Sequence, residues 1–268
     1  GSQSGVTVSL DGVPLLNHFM MNPSFLDVER GVVLRGPQGT LQGRNATGGA
    51  INVSSLPPTD ALDAAVELTR GNYSRYGVKG FVNVPLSDTL SSRLSVQSER
   101  ADGWLENRFL GRSNDDTDID RVRGQLLFKP TDRFSLRGLV DYTRDRSDPS
   151  FAILLGRANR DIPAVDELPT YAFPRNDIED LDFYINQPNQ RDLESLNATM
   201  IANLEFGQSA GIVSTTGYIK HDIELTNIDV DATPNAVSSF PLIGIYNEQI
   251  TQEFTYTTEL GSRRRLVA

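Results

Sequence analysis

The feature that most constrains this chain is a strict two-residue alternation of apolar and polar side chains, repeated in long segments after about residue 60. Leu90, Ser92, Leu94 and Val96 alternate with Ser91, Arg93, Ser95 and Gln97. Val122, Gly124, Leu126 and Phe128 alternate with Arg121, Arg123, Gln125 and Lys129. Phe134 to Tyr142 and Leu196 to Phe206 repeat the pattern. A period of two is the signature of a strand with one apolar and one polar face. The chain is therefore read as all-β.

The connections between these segments alternate in length. Short turns fall at Pro85–Leu90, Pro130–Phe134, Gly207–Gly211 and Glu259–Arg265. Long polar excursions fall at Ala101–Asp120, Asp145–Glu194 and Thr226–Tyr246, with only Gly71–Arg75 short on that side. An up-and-down barrel puts every second connection on the same rim, and outer-membrane barrels have short turns on one rim and longer loops on the other. The expectation is an antiparallel meander over residues 62–258, of about eight strands plus the start of another. The longest apolar runs, such as Phe151–Leu155, fall far short of the ~20 residues of a membrane helix. That excludes a helical membrane protein and leaves a β-barrel open.

Residues before Pro58 read differently. Val6–Leu10, Asp27–Leu34 and Ala50–Ser54 are strand candidates, with a turn at Asp11-Gly12 and a Gly-dense stretch between the last two. Pro57-Pro58-Thr59-Asp60 makes a linker. The net charge of −10 argues against a nucleic-acid partner. With no Cys, there is no thiolate nucleophile or thiolate metal site. Asn114–Asp120 is acidic but lacks the Gly and Glu that a calcium loop needs, and reads as a solvated loop. Gly36–Gly43 lacks the phosphate-loop pattern. The expectation is no catalytic residue, no metal site and no cofactor. The chain opens without a signal peptide and stops as an apolar run begins, so it reads as a fragment.

The run from Val28 to Asn52, with Leu34-Arg35-Gly36-Pro37-Gln38-Gly39-Thr40-Leu41-Gln42-Gly43-Arg44-Asn45-Ala46-Thr47-Gly48-Gly49 at its centre, closely resembles the plug signature of TonB-dependent outer-membrane receptors. Val8–Pro14 resembles the plug strand and turn before it, Thr89–Ser95 an early barrel strand, and Gln252-Glu253-Phe254 a later one. Gly31-Val32 and Gln42 depart from the usual pattern, which carries Ile-Glu and an aromatic there.

The resemblance implies a partial transmembrane β-barrel, residues 59–268, with the C-terminal part of a small α+β plug, residues 1–58. It implies a multi-pass protein of the cell outer membrane, in contact with its lipid, that is not an enzyme. The implied role is active uptake of a ferric siderophore, cobalamin or oligosaccharide, energised by a TonB–ExbB–ExbD complex. The alternatives are a passive porin or adhesin barrel and a soluble β-sandwich. The plug-signature residues are Gly36, Pro37, Gly39, Gly43, Asn45, Gly48 and Gly49. Arg35 and Arg44 are expected to latch the plug to a barrel carboxylate, first Glu253. Ligand contact is expected from His18, Phe19, Met20 and Met21 on the outer side of the plug. Further candidates are Trp104, and Tyr171 and Phe173 in the long loop, which carries eleven acidic residues against five arginines.

Overall fold

The computed structural model describes residues 5–15, 25–39, 46–148, 185–207, 210–229, 239–259 and 265–267. The first four strands are β1 (Val6–Leu10), β2 (Val13–Leu15), β3 (Val28–Arg35) and β4 (Gly49–Ser55). They form a small sheet in the order β2-β1-β4-β3, with β1 and β4 parallel and the other pairs antiparallel. Asp11 and Gly12 both have positive φ, the tight two-residue hairpin turn that matches strand twist. At Gly49, with φ +152°, a Cβ would lie 2.5 Å from the Leu34 carbonyl oxygen, so only glycine fits the signature there. Among the described residues the one helical position is Gly39, and residues 40–45 after it lie outside them, so the α part of the expected α+β unit falls largely outside the described residues.

The remaining strands are β5 (Asp63–Arg70), β6 (Tyr76–Ser87), β7 (Leu90–Ala101), β8 (Leu105–Asn107), β9 (Arg112–Asn114), β10 (Thr117–Thr131), β11 (Phe134–Asp145), β12 (Gln190–Phe206), β13 (Ala210–Asp229), β14 (Ser239–Glu259) and β15 (Arg265–Val267). Nine of them form one sheet in the order β15-β14-β13-β12-β11-β10-β7-β6-β5. Every neighbouring pair is antiparallel. This is the expected meander. β8 and β9 form a separate hairpin inserted between β7 and β10.

Two of the expected excursions are shorter than read from sequence. The segment Ala101–Asp120 contains the β8–β9 hairpin, and β10 already begins at Thr117. The segment Thr226–Tyr246 is largely strand, because β13 runs to Asp229 and β14 resumes at Ser239. Cross-strand neighbours Ile223 and Ile245, and Leu225 and Ile243, pack with Ile228 and Leu193 in one apolar cluster. That contact extends the ladder through a polar-looking stretch. β13 and β14 have 20 and 21 residues, about twice the 9–11 needed to cross hydrocarbon.

The burial of the two faces is the reverse of a water-soluble sandwich. The buried side of the large sheet is polar and includes Arg93, Ser95, Arg123, Gln125 and Asp141. The exposed side carries Val66, Leu68, Val82, Leu94, Val96, Leu126, Met200, Leu204 and Phe254, with Ile250 75% exposed. A contiguous apolar surface of this extent marks a face that something apolar covers. Outward aromatic residues Phe128, Phe206, Phe254 and Tyr256 lie toward the short turns. Tyr218 and Tyr246 lie toward the other end, where outward charges begin with the Lys220–Asp222 pair at 2.8 Å. Aromatic girdles flanking an apolar band are the surface of a membrane-embedded barrel wall.

Candidate functional site

The small sheet lies on the polar face of the large one, and the seam between them is built of charge. Asp27 occupies the turn before β3 with φ 51°. Its carboxylate accepts from Arg93 Nε at 2.6 Å and Arg93 Nη2 at 2.7 Å, and from Ser95 Oγ at 2.5 Å. This is a bidentate, charge-assisted contact. Burial alone would raise the Asp27 pKa, but the hydrogen bonds from Arg93 and Ser95 and the charges of Arg93 and Arg123 outweigh it. The carboxyl is held below its ordinary value.

Arg123 and Asp141 sit beside this contact, both with no exposed side-chain surface, 2.7 Å apart. Arg123 also donates to the carbonyl of Leu26, which is itself fully buried. Further along the seam, Arg137 donates to Ser55 Oγ at 2.6 Å and to the Ser55 carbonyl at 3.1 Å. Ser55 in turn donates to Asp11, whose carboxylate lies 3.6 Å from Arg137. Gln125 donates to the Leu56 carbonyl at 3.0 Å and Gln249 to that of Pro14 at 2.7 Å. Asn83 pins the Thr59–Ala61 segment through three hydrogen bonds. The seam also has an apolar patch: Val8, Val13 and Leu15 pack with Ile219 of β13, and Val13 meets β13 where Gly217 has no side chain, so that a Cβ there would lie 2.5 Å from both Val13 methyl groups.

The expected latch residues are only partly among the described residues. Arg35 ends β3 on an exposed position, and no ion pair joins it to Glu253 among the described residues. Glu253 accepts from Thr255 at 3.1 Å. Arg44 lies outside the described residues, as do Gly43 and Asn45. In the described seam the small sheet contributes carboxylates, Asp11 and Asp27, and the wall contributes arginines. The available signal was the Ser91-x-Arg93-x-Ser95 pattern. Small residues on either side of an arginine leave room for another backbone to approach.

The expected ligand contacts are only partly placed. His18, Phe19, Met20, Met21, Tyr171 and Phe173 lie outside the described residues. Trp104 is 44% exposed at the long-connection end, and its indole N–H donates to Asp115. The long connections lock together there. Asn107 donates to the Ile185 carbonyl at 3.0 Å, and its side-chain oxygen accepts the Phe109 and Leu110 amides. Asp148 accepts from Asn114 at 2.8 Å and pairs with Arg112, while its own amide donates to Asp116 at 2.6 Å. Desolvation, with a smaller push from Asp115 and Asp116, raises the Asp148 pKa to about 6 against the pull of Arg112 and Asn114. Among the described residues no cluster of three or more His, Asp or Glu could hold a metal.

An outward-apolar meander with a small sheet salt-bridged onto its polar inner face is a fold this chain shares with solved outer-membrane siderophore receptors, of which it spans well under half the length. Over 85 residues it is 35% identical to the pesticin receptors of Yersinia enterocolitica and Yersinia pestis, a match covering 32% of this chain and 12% of theirs. In structure it resembles the ferric yersiniabactin uptake receptor of Yersinia pestis, with TM-score 0.75 and 20% identity over 97% of this chain and 37% of that one. It also resembles the ferric-catecholate import receptor of E. coli K12, with TM-score 0.72 and 17% identity over 98% and 40%. The ferripyoverdine receptor of Pseudomonas aeruginosa gives 0.68 and 16% over 96% and 34%. No family model matches the chain.

Proposed function

We propose that this protein is an outer-membrane receptor for active uptake of a ferric siderophore, with residues 1–58 acting as plug and 59–268 as barrel wall. The observation that carries the reading is the inverted burial of the large sheet combined with the charged seam. Lipid suits the apolar face, and the polar face suits a lumen that another element fills. The solved receptors it resembles are named for ferric yersiniabactin, ferric catecholates and ferripyoverdine.

In this reading the protein binds and gates, and does no covalent chemistry. The chelate is taken at the long-connection end, where Trp104 and the locked loops form the approach. A TonB–ExbB–ExbD complex supplies the energy. Pulling on the plug separates Asp27 from Arg93 and Asp11 from Arg137. Both partners of each pair end in water that enters the lumen, so the seam can reopen and reclose without a stranded charge. An apolar seam of the same area would expose its surface to water on each opening.

The test is uptake of radiolabelled iron chelates by iron-starved cells that carry the full-length gene product and lack other siderophore receptors. Uptake that needs both this protein and TonB is the expected result. Passage of small solutes that persists without TonB would favour a passive porin instead. Outer-membrane fractionation and heat-dependent mobility on gels check the location and the barrel.

A further inference from the structure

One register step from the seam, toward the long connections, the inner face carries two cations that form no ion pair among the described residues, although Glu99, Asp141 and Asp145 act on one of them, Arg121, from a distance. Asp27 reaches Ser95 on β7, and Leu26 reaches Arg123 on β10. Two residues further along the same strands lie Gln97 and Arg121, about 7 Å closer to the long connections. The ladder extends this row across the wall. Lys79 of β6 is opposite Gln97, Gln97 is opposite Arg121, and Arg121 is opposite Thr143 of β11. Thr143 is opposite Ser195, and Ser195 is opposite His221. All six share the inner face, and Ser195 Oγ lies 3.1 Å from His221 Nε2.

Arg121 donates to Gln97 at 3.3 Å, and its buried Nε has no hydrogen-bond partner among the described residues. The carboxylates that could neutralise it are already engaged. Glu99 is held by Arg75, Asp141 by Arg123, and Asp145 by Arg191 at 2.7 Å. Lys79 likewise has no ion pair among the described residues. Glu67, opposite it on β5, lies beyond ion-pair distance. Two cations, two strand spacings or about 10 Å apart, thus face the lumen with amide and hydroxyl groups beside them. An unpaired, partly desolvated guanidinium is costly unless something anionic completes it.

We infer that this row is an anion-reading subsite for the transported chelate, and that the receptor favours a negatively charged ferric complex over a neutral one. The inference rests on the siderophore-uptake reading and specifies its substrate. Lys79 and Arg121 engage anionic oxygens of the chelate, such as catecholate or carboxylate groups. Gln97, Thr143 and the Ser195–His221 pair supply hydrogen bonds around them. A charge-assisted contact in this partly dehydrated wall is strong, and it weakens with salt where it remains exposed.

The test compares binding of an anionic ferric tris-catecholate and a neutral ferric trihydroxamate to the full-length gene product in outer membranes. Wild type is expected to bind the anionic chelate more tightly, with affinity falling as salt rises. The double variant Lys79→Gln with Arg121→Gln should weaken the anionic chelate about tenfold to a hundredfold and flatten its salt dependence. Its weaker binding of the neutral chelate should change less than about twofold, which also reports that the wall is folded. Arg121→Lys should keep most of the charge preference. Equal loss for both chelates, or no loss for the anionic one, overturns the inference. Wild-type preference for the neutral chelate overturns it while leaving siderophore uptake standing. Binding of neither chelate, with no TonB-dependent iron uptake, overturns both readings.

Discussion

Asp27 and Arg93, 66 residues apart, meet as a two-pronged ion pair in which Arg93 is 1% and Asp27 9% exposed. It joins the turn of the small sheet to the second long strand of the wall. Breaking one side of a buried pair strands the other charge, at a cost of about 3–5 kcal/mol. Asp27→Asn is therefore expected to loosen the small sheet. Faster proteolysis within residues 5–58 and greater sensitivity of cells to bulky antibiotics would show it. Arg93→Lys should recover little, because an ammonium cannot make the fork contact. Intact proteolytic protection in Asp27→Asn would show that the pair does not hold the seam.

The strands of the wall were legible because their signal is local. Leu196 to Phe206 reads as strand from its own period of two, with no knowledge of a partner. The seam was not legible, because whether Arg93 is solvated or paired depends on a carboxylate far away in sequence. The signature run from Val28 to Asn52 directed attention to Arg35 and Arg44, while the seam carboxylates of the small sheet, Asp11 and Asp27, stand before that run. The ends of β13 and β14 were missed for a different reason. Near the long connections the inner face turns apolar at Ile223, Leu225, Ile243 and Ile245. Alternation then no longer separates the faces, and interspersed Asn and Asp read as loop.

Gly217 sets how closely the small sheet approaches β13. A methyl group there would lie 2.5 Å from both Val13 methyls. Gly217→Ala should destabilise docking by about 1–3 kcal/mol through overpacking. Val13→Ala in the same chain removes the clashing methyls and should restore part of the loss. Thermal melts of the purified full-length protein in detergent give the three comparisons. If the double variant melts no higher than Gly217→Ala, the contact is not the cause.

Asp148 makes the locked connections pH-dependent. Its folded pKa of about 6 lies above its ordinary value, chiefly through burial. A raised carboxyl contributes stability that is fully present below the unfolded pKa, about 3.9, and is lost as pH rises through the folded one. Local protection of the β8–β9 hairpin is thus expected to fall between about pH 4 and pH 6. Asp115 and Asp116 face the same carboxyl and reinforce the direction, and Arg112 opposes it. Hydrogen exchange at Arg112–Asn114 across this range measures the effect. Asp148→Asn should flatten it, and an unchanged pH profile in that variant would assign the dependence to another group.

Phe254 and Thr255 are neighbours on β14 that face opposite environments. Phe254 is 67% exposed on the apolar side, among Phe206, Leu204 and Tyr256. Thr255 lies on the inner side, hydrogen-bonded to Glu253. If lipid covers the outer face, an arginine at 254 must enter the apolar band or drag water toward it, a cost of about 2–4 kcal/mol at the bilayer midplane that falls toward the interfaces. An arginine at 255 points into the polar interior and gains Glu253 as a partner. Phe254→Arg is therefore expected to reduce the yield of folded barrel in outer membranes severalfold, and Thr255→Arg to leave it near wild type. Heat-dependent gel mobility, read on both variants in parallel, makes the comparison. A water-soluble sandwich with a partner on its apolar face would give a different result, since Phe254→Arg would then leave a folded, more soluble chain. Equal yields for the two variants would mean that the exposed apolar face is not the membrane face.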